Sequence, residues 1–217
     1  VLANPPYSIK TWNREAFMND KWGRNFLGTP PQGRADYAFF QHILASMDDK
    51  TGRCVILFPH GVLFRKEEQE IRRKLIEQDL VECVIGLGPN LFYNSPMEAC
   101  IIVCRSKKAD EMKNKIMFIN AVNEVIRKNA ESFLTAEHIE KISNAYFGQR
   151  DIENFCKVID ASDVLNRNAD LNISLYVSPS NCSTHINLPV DEVLRQWNES
   201  SRTTQECYTS LVELING

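Results

Sequence analysis

Short apolar runs alternate with amphipathic stretches along the chain, and the spacing within each run decides what it forms. "VLA" (1–3), "CVILF" (54–58), "LVECVIGL" (80–87), "CIIVC" (100–104) and "KIMFINA" (115–121) read as strands. "CVILF" and "CIIVC" are apolar at every position instead of alternating, so both faces of their sheet need cover, as in a parallel or mixed sheet between helices. "ADYAFFQHILASM" (35–47) places Tyr37, Phe40, Leu44 and Met47 at helical spacing. "KEEQEIRRKLIEQ" (66–78) predicts a charged helix with Ile71 and Leu75 inward and "RRK" (72–74) on the solvated face. Strand–helix–strand–helix–strand–strand is an α/β layout.

After about residue 120 the texture changes. "TAEHIEKISNAYFGQ" (135–149) predicts a helix with Thr135 as N-cap; His138 stands where a capping box has Glu or Gln, so no box is expected. "NFCKVID" (154–160) reads as a strand, "ASDVLNRN" (161–168) as a short helix, and 170–189 as irregular. In the last segment Val190, Leu194, Trp197, Tyr208, Leu211, Val212 and Leu214 lie on a rough helical stripe, a terminal helix or helix pair that needs a partner surface. The expected organisation is 1–120, an α/β unit; 121–187, an extension of mixed structure; and 188–217, a helical segment.

Composition narrows this little. The chain has 217 residues, 43% hydrophobic and 24% charged, the balance of a folded domain with a real core. The net charge of −3 does not advertise a nucleic-acid binder, so any such surface is a local patch. No apolar run is long enough for a membrane helix, and the seven cysteines, odd in number and several of them set in apolar runs, read as thiols of a reducing cytoplasm. His42, His138 and His185 have no carboxylate or cysteine partners at ligand spacing, so no metal site is expected.

The chemistry concentrates in Asn4-Pro5-Pro6-Tyr7, directly after the first strand. Ligands of open α/β sheets bind beyond the carboxyl ends of strands. The Asn4 amide oxygen and the Pro5 carbonyl are acceptors, the prolines fix φ and carry no N–H, and Tyr7 offers a flat face. Two converging acceptors beside a ring suit a planar aromatic amine. For a base in duplex DNA this requires flipping it out of the stack. Read without chemistry, the same four residues are a strand-ending turn.

Beyond this motif the chain resembles a known family. Asn4-Pro5-Pro6-Tyr7 is similar to the [DNS]-P-P-[YFW] motif of amino-methyltransferases. Segments 33–44, 52–65, 71–96 and 99–108 resemble, in order and spacing, the catalytic domain of the modification (M) subunit of type I restriction–modification systems. Segment 169–179 resembles the stretch C-terminal to that domain in the same family. The resemblance implies N6-methylation of adenine in DNA by direct transfer from S-adenosylmethionine, in the cytoplasm, with specificity (S) and restriction (R) subunits as partners. It implies that Asn4 and the Pro5 carbonyl hold the amino group, Pro6 shapes the turn and Tyr7 stacks on the base. It also implies a Rossmann-like class I methyltransferase sheet. In the family the Gly-rich cofactor loop precedes this motif, and no such stretch stands here. The expectation is therefore an incomplete sheet of its later strands, the C-terminal part of a subunit, with no cofactor-binding residues and weak or absent cofactor affinity.

Other features carry two readings each. Residues 8–34 interleave Trp12 and Trp22 with Lys10, Arg14, Lys21, Arg24 and Arg34. They form either a solvated insertion or a surface whose Lys10, Trp12, Trp22 and Arg24 touch DNA. Phe92 and Tyr93 either pack or wall the target base. Asp36 reads as a helix-dipole partner, and His60, after a strand end, either borders the site or is a structural or solvent-facing residue. A glutamine-amide methyltransferase also fits the motif, and a non-catalytic interaction module fits the isolated chain.

Overall fold

The structure, a computed structural model, describes residues 1–92, 97–128 and 131–177, and residues 191, 192, 194, 195, 197–202 and 205 of the C-terminal stretch. Residues 1–180 form one compact unit and 181–217 a second. In chain order the elements are β1 (Leu2–Ala3), α1 (Arg14–Met18), α2 (Asp36–Ala45), β2 (Arg53–Pro59), α3 (Gln69–Glu77), β3 (Val81–Leu87), β4 (Ala99–Arg105), β5 (Lys115–Ala121), β6 (Ile126–Lys128), β7 (Glu131–Phe133), α4 (Ala136–Gly148), β8 (Cys156–Asp160) and α5 (Ala161–Asn166).

Six strands make one mixed sheet in the order β1-β2-β4-β3-β5-β8. β1 is parallel to β2, and β3 is parallel to β5. β4 returns antiparallel between β2 and β3, and β8 closes the far edge antiparallel to β5. β8 therefore belongs to the same sheet as the strands of the first 121 residues. β6 and β7 form a separate two-stranded ribbon that the hydrophobic pattern does not announce, since all three residues of β6 are exposed.

The continuous apolar runs have their expected cause. β3 is buried at every position. Its Val84 faces a core shared with Tyr37 and Phe40 of α2, Leu75 of α3 and Val164 of α5, while Cys83 and Ile85 face a second core with Ala145 of α4 and Phe155. Helices thus cover both faces, as strands without alternation require. "VLA" differs from its expectation of burial: it is a strand, but Leu2 is 86% exposed because β1 is paired with β2 only, at the sheet edge.

Two further differences come from side-chain geometry. α4 does have a capping box: His138 N–H donates to Thr135 Oγ1 at 3.4 Å, and His138 Nδ1 accepts from Thr135 N–H at 3.4 Å. The imidazole nitrogen does what a Glu carboxylate does elsewhere. Arg72 is not solvated but 1% exposed. Its Nε donates to Ala169 O at 3.0 Å, and its Nη1 to Arg65 O at 2.7 Å and Val62 O at 3.4 Å. The segment after α5, expected to be irregular, packs as core: Leu171 and Ile173 are buried and Tyr176 stacks on Phe118 at 4.2 Å.

In the second unit the described residues are helical, with Leu194 and Trp197 exposed. Val190, Tyr208, Leu211, Val212 and Leu214 of the expected stripe lie outside the described residues. Among the described residues no helix is long and apolar enough to cross a membrane.

Candidate active site

β1, β2, β3 and β5 all run in one direction, so their carboxyl ends share one edge of the sheet. Asn4-Pro5-Pro6-Tyr7 leaves that edge after β1. The turn at His60 leaves it after β2, and the loop after β3 leaves it before β4 begins at Ala99, opposite Pro59. The Asn4 side chain is exposed, and neither its amide nor the Pro5 carbonyl is committed to a hydrogen bond among the described residues. Pro5 is half-buried and Pro6 exposed. Tyr7 is half-buried, yet its hydroxyl is buried without a partner in the described structure. Burial pushes that hydroxyl up to about 12, with the Cys100 thiol of β4 adding to the effect. The phenol therefore stays neutral. Two free acceptors and one fixed ring now stand on the edge where α/β sheets bind ligands.

The residue after the motif is strained. Ser8 has φ +48°, a left-handed conformation that costs a non-glycine residue free energy. It is held by a buried charge cluster. Ser8 N–H donates to Asp36 Oδ1 at 2.7 Å, and Arg65 Nη1 donates to Asp36 Oδ2 at 2.6 Å. Arg65 Nη2 reaches Ser8 Oγ at 3.3 Å, and Arg65 Nη1 lies 3.4 Å from Glu68 Oε2. Asp36 and Glu68 side chains are fully buried. Gly61, in the turn after β2, makes room for the guanidinium: a Cβ there would stand 2.7 Å from Arg65 Nε. Asp36 is thus more than a dipole partner at the start of α2.

Glu68 is the weakly supported member. Its Oε1 is buried without a hydrogen bond in the described structure, and burial pushes its carboxyl up to about 7. The charges facing it are Arg65, Asp36, Arg72 and Arg34. Because the folded chain holds this proton more tightly than the unfolded chain, the group's stabilisation is complete below about pH 4.5 and is lost as pH rises toward 7. Glu68→Gln is expected to remove this slope. The stability of the variant relative to wild type should rise by on the order of 2–3 kcal/mol from pH 4.5 to 8. Urea unfolding across that range measures it, and parallel pH profiles for the two proteins would refute it.

The long segment between Tyr7 and α2 is folded. Trp12 Nε1 donates to Gln32 O at 2.8 Å, and Gln32 Nε2 donates to Trp12 O at 3.0 Å. Gln41 of α2, fully buried, accepts from Leu27 N–H at 2.7 Å and donates to Gly28 O at 2.8 Å. Between this segment and α2 lies a cavity of about 620 Å³, bordered by Trp12, Phe17, Trp22 and Phe39. Arg24 is paired with Asp20, which stays ionised below the usual carboxylate range because Arg24 hydrogen-bonds it. Lys10 is exposed; Trp22 is 68% exposed, with Lys21 Nζ 4.0 Å from its ring centre.

A profile of the N-6 DNA Methylase family matches residues 1–185. The chain belongs to that family. Among curated relatives, it is 35% identical to the type I restriction enzyme MjaVIII methylase subunit of Methanocaldococcus jannaschii, across 100% of this chain and 38% of that protein. It is 32% identical to the type I restriction enzyme MpnII methylase subunit of Mycoplasma pneumoniae, across 82% of this chain and 33% of that one. The chain therefore spans well under half the length of these relatives. Among solved structures, the methyltransferase subunit of a type I restriction–modification system from Streptococcus thermophilus superimposes with a TM-score of 0.75 at 34% identity, covering 82% of this chain and 37% of that one. A chain from a type I restriction–modification assembly gives a TM-score of 0.63 at 20% identity over 99% of this chain and 44% of that one, a likeness of fold.

In this member of the N-6 DNA Methylase family, the structure gathers some expected site residues and disperses others. The four motif residues share the sheet edge with His60, whose N–H donates to Glu98 O at 3.1 Å and whose ring is half-buried. Burial lowers the pKa of that imidazole. Phe92 is half-buried in the loop from the same edge, and Tyr93 lies outside the described residues. Trp12 and Arg24 are engaged within their own segment, while Lys10 and Trp22 remain exposed. Ser8 and Arg65 carried no signal in the sequence, because they meet 57 positions apart and Asp36 lies 28 from Ser8; Glu68, three positions from Arg65, carried none because nothing local marks it as buried.

Proposed function

We propose that this chain supplies the target-base side of an adenine-specific DNA methyltransferase of a type I restriction–modification system. One observation carries the reading: the uncommitted Asn4 and Pro5 oxygens stand beside the Tyr7 ring at the carboxyl edge of the sheet in an N-6 DNA methylase. With a flipped adenine against Tyr7, these acceptors take the two amino protons and concentrate the lone pair on N6. A bound sulfonium donor would supply the electrophilic methyl carbon for that lone pair and keep the electrons of its carbon–sulfur bond, and N6 would give up one proton to water. S-adenosylmethionine is the donor this chemistry calls for. The glycine that follows β3, Gly88, offers it no opening: a Cβ there would stand 2.7 Å from Val122 O and from Val125 Cγ1. No step here is routed through a donor site on this chain. Lys10, Lys21 and Trp22 are the exposed members that would meet the strand carrying the base. Specificity and restriction subunits are the expected partners.

The test is a methylase assembly carrying this chain, incubated with labelled S-adenosylmethionine, cognate duplex DNA and a glutamine-bearing peptide. Label recovered as N6-methyladenine supports the reading. Label on the peptide, or on cytosine, overturns it.

A further inference from the structure

We propose that Asp36 and Arg65 are positioning residues for methyl transfer: through Ser8 they hold the Asn4–Tyr7 turn in its amine-accepting shape. The inference rests on the proposed function for its catalytic consequence, and on geometry alone for its mechanical part. An exposed, proline-stiffened turn at a sheet edge has no internal force to fix its exit. Here the exit residue adopts φ +48° against its own preference. Such a conformation persists only where its surroundings over-determine it.

Those surroundings are specific. One Asp36 oxygen takes the Ser8 amide, and the other takes Arg65 Nη1, so the carboxylate bridges the two. Arg65 closes the triangle by reaching Ser8 Oγ with its second nitrogen. That fork is beyond a lysine, which carries one point charge. The pair is itself anchored. Arg65 passes over Gly61, and its carbonyl accepts from the buried Arg72, which also holds Ala169. The turn is therefore tied across the sequence to the end of β2, to α3 and to the segment after α5. A misplacement of about 1 Å at a reacting group is enough to cost about 10²-fold in rate. None of these residues touches the base, so their effect falls on turnover and not on DNA affinity.

Two variants test this without removing the buried charges. Arg65→Lys keeps the charge and loses the fork. Ser8→Gly relaxes the strain, so it is expected to fold at least as well as wild type. In this chain, hydrogen exchange at the residue-8 amide is expected to accelerate at least tenfold in Arg65→Lys, with the thermal midpoint within a few degrees of wild type. Unchanged exchange refutes the mechanical part whether or not the protein methylates DNA. In a methylase assembly carrying the chain, both variants should lower kcat by roughly tenfold or more while KM for DNA stays within about threefold. Wild-type turnover, or a loss confined to KM, overturns the positioning role while adenine methylation itself stands. A wild-type assembly that binds DNA and cofactor yet never methylates adenine removes the functional reading, and with it the catalytic consequence proposed here.

Discussion

On the proposed function, Asn4→Ala is expected to lower methyl transfer to adenine by about 10²–10³-fold in a methylase assembly carrying this chain, with DNA affinity changed little. This is the size of effect seen when one preorganised polar group at a reacting centre is removed. The side chain is exposed and makes no hydrogen bond within the described structure, so its loss leaves folding nearly untouched. The whole effect then falls on the reaction. Asn4→Asp retains acceptors at the same place and is expected to recover part of the rate. Single-turnover transfer from labelled S-adenosylmethionine, with the unfolding midpoint measured in parallel, separates the two quantities. An alanine variant that turns over within threefold of wild type would remove Asn4 from the chemistry and leave the motif a strand-ending turn.

The largest stability effect is expected at Arg72. Its guanidinium satisfies the carbonyls of Val62, Arg65 and Ala169 in the interior, and Val62 O is also held by the Tyr37 hydroxyl at 2.9 Å. Ala169 is fully buried with φ +52°, a second strained residue fixed by a buried partner. Arg72→Ala leaves the Ala169 carbonyl unsatisfied, a cavity, and the Glu68 carboxyl without one of the cations that act on it. A loss of about 3–5 kcal/mol is expected, seen as a lower urea midpoint with an unchanged slope. Arg72→Lys keeps the charge but not the planar fork and should recover only part of it. A loss below about 1 kcal/mol for the alanine variant would show that water takes over the Ala169 carbonyl.

Arg72 also shows where reading the chain in one dimension fails. Three consecutive basic residues on a charged helix have a strong prior for solvent, and Arg73 follows it, being part-exposed in its pair with Glu70. Arg72 does not, because α3 turns that one position toward the segment after α5, 97 residues on. His138 is the opposite case: the residue type argued against a capping box, while the local geometry of the first turn placed Nδ1 where a carboxylate oxygen would stand. Tyr7 is an intermediate case. The sequence suggests its ring as a stacking face, the role proposed above, but only the fold shows its hydroxyl buried near Cys100.

What the sequence determined by itself is what short-range physics controls. Continuous apolar runs required a sheet covered on both faces, helical spacing placed α2 and α3, and two prolines between an amide and an aromatic ring marked the turn proposed here to receive an amine. The tertiary structure alone decided what depends on meetings between distant residues. It put β4 between β2 and β3, set β1 at an edge with Leu2 exposed, and brought Asp36 and Arg65 to Ser8. Strand order and buried ion pairs are set by which surfaces exclude water together. No local pattern encodes that, because the partners lie dozens of residues apart and each looks, in its own neighbourhood, like an ordinary surface charge.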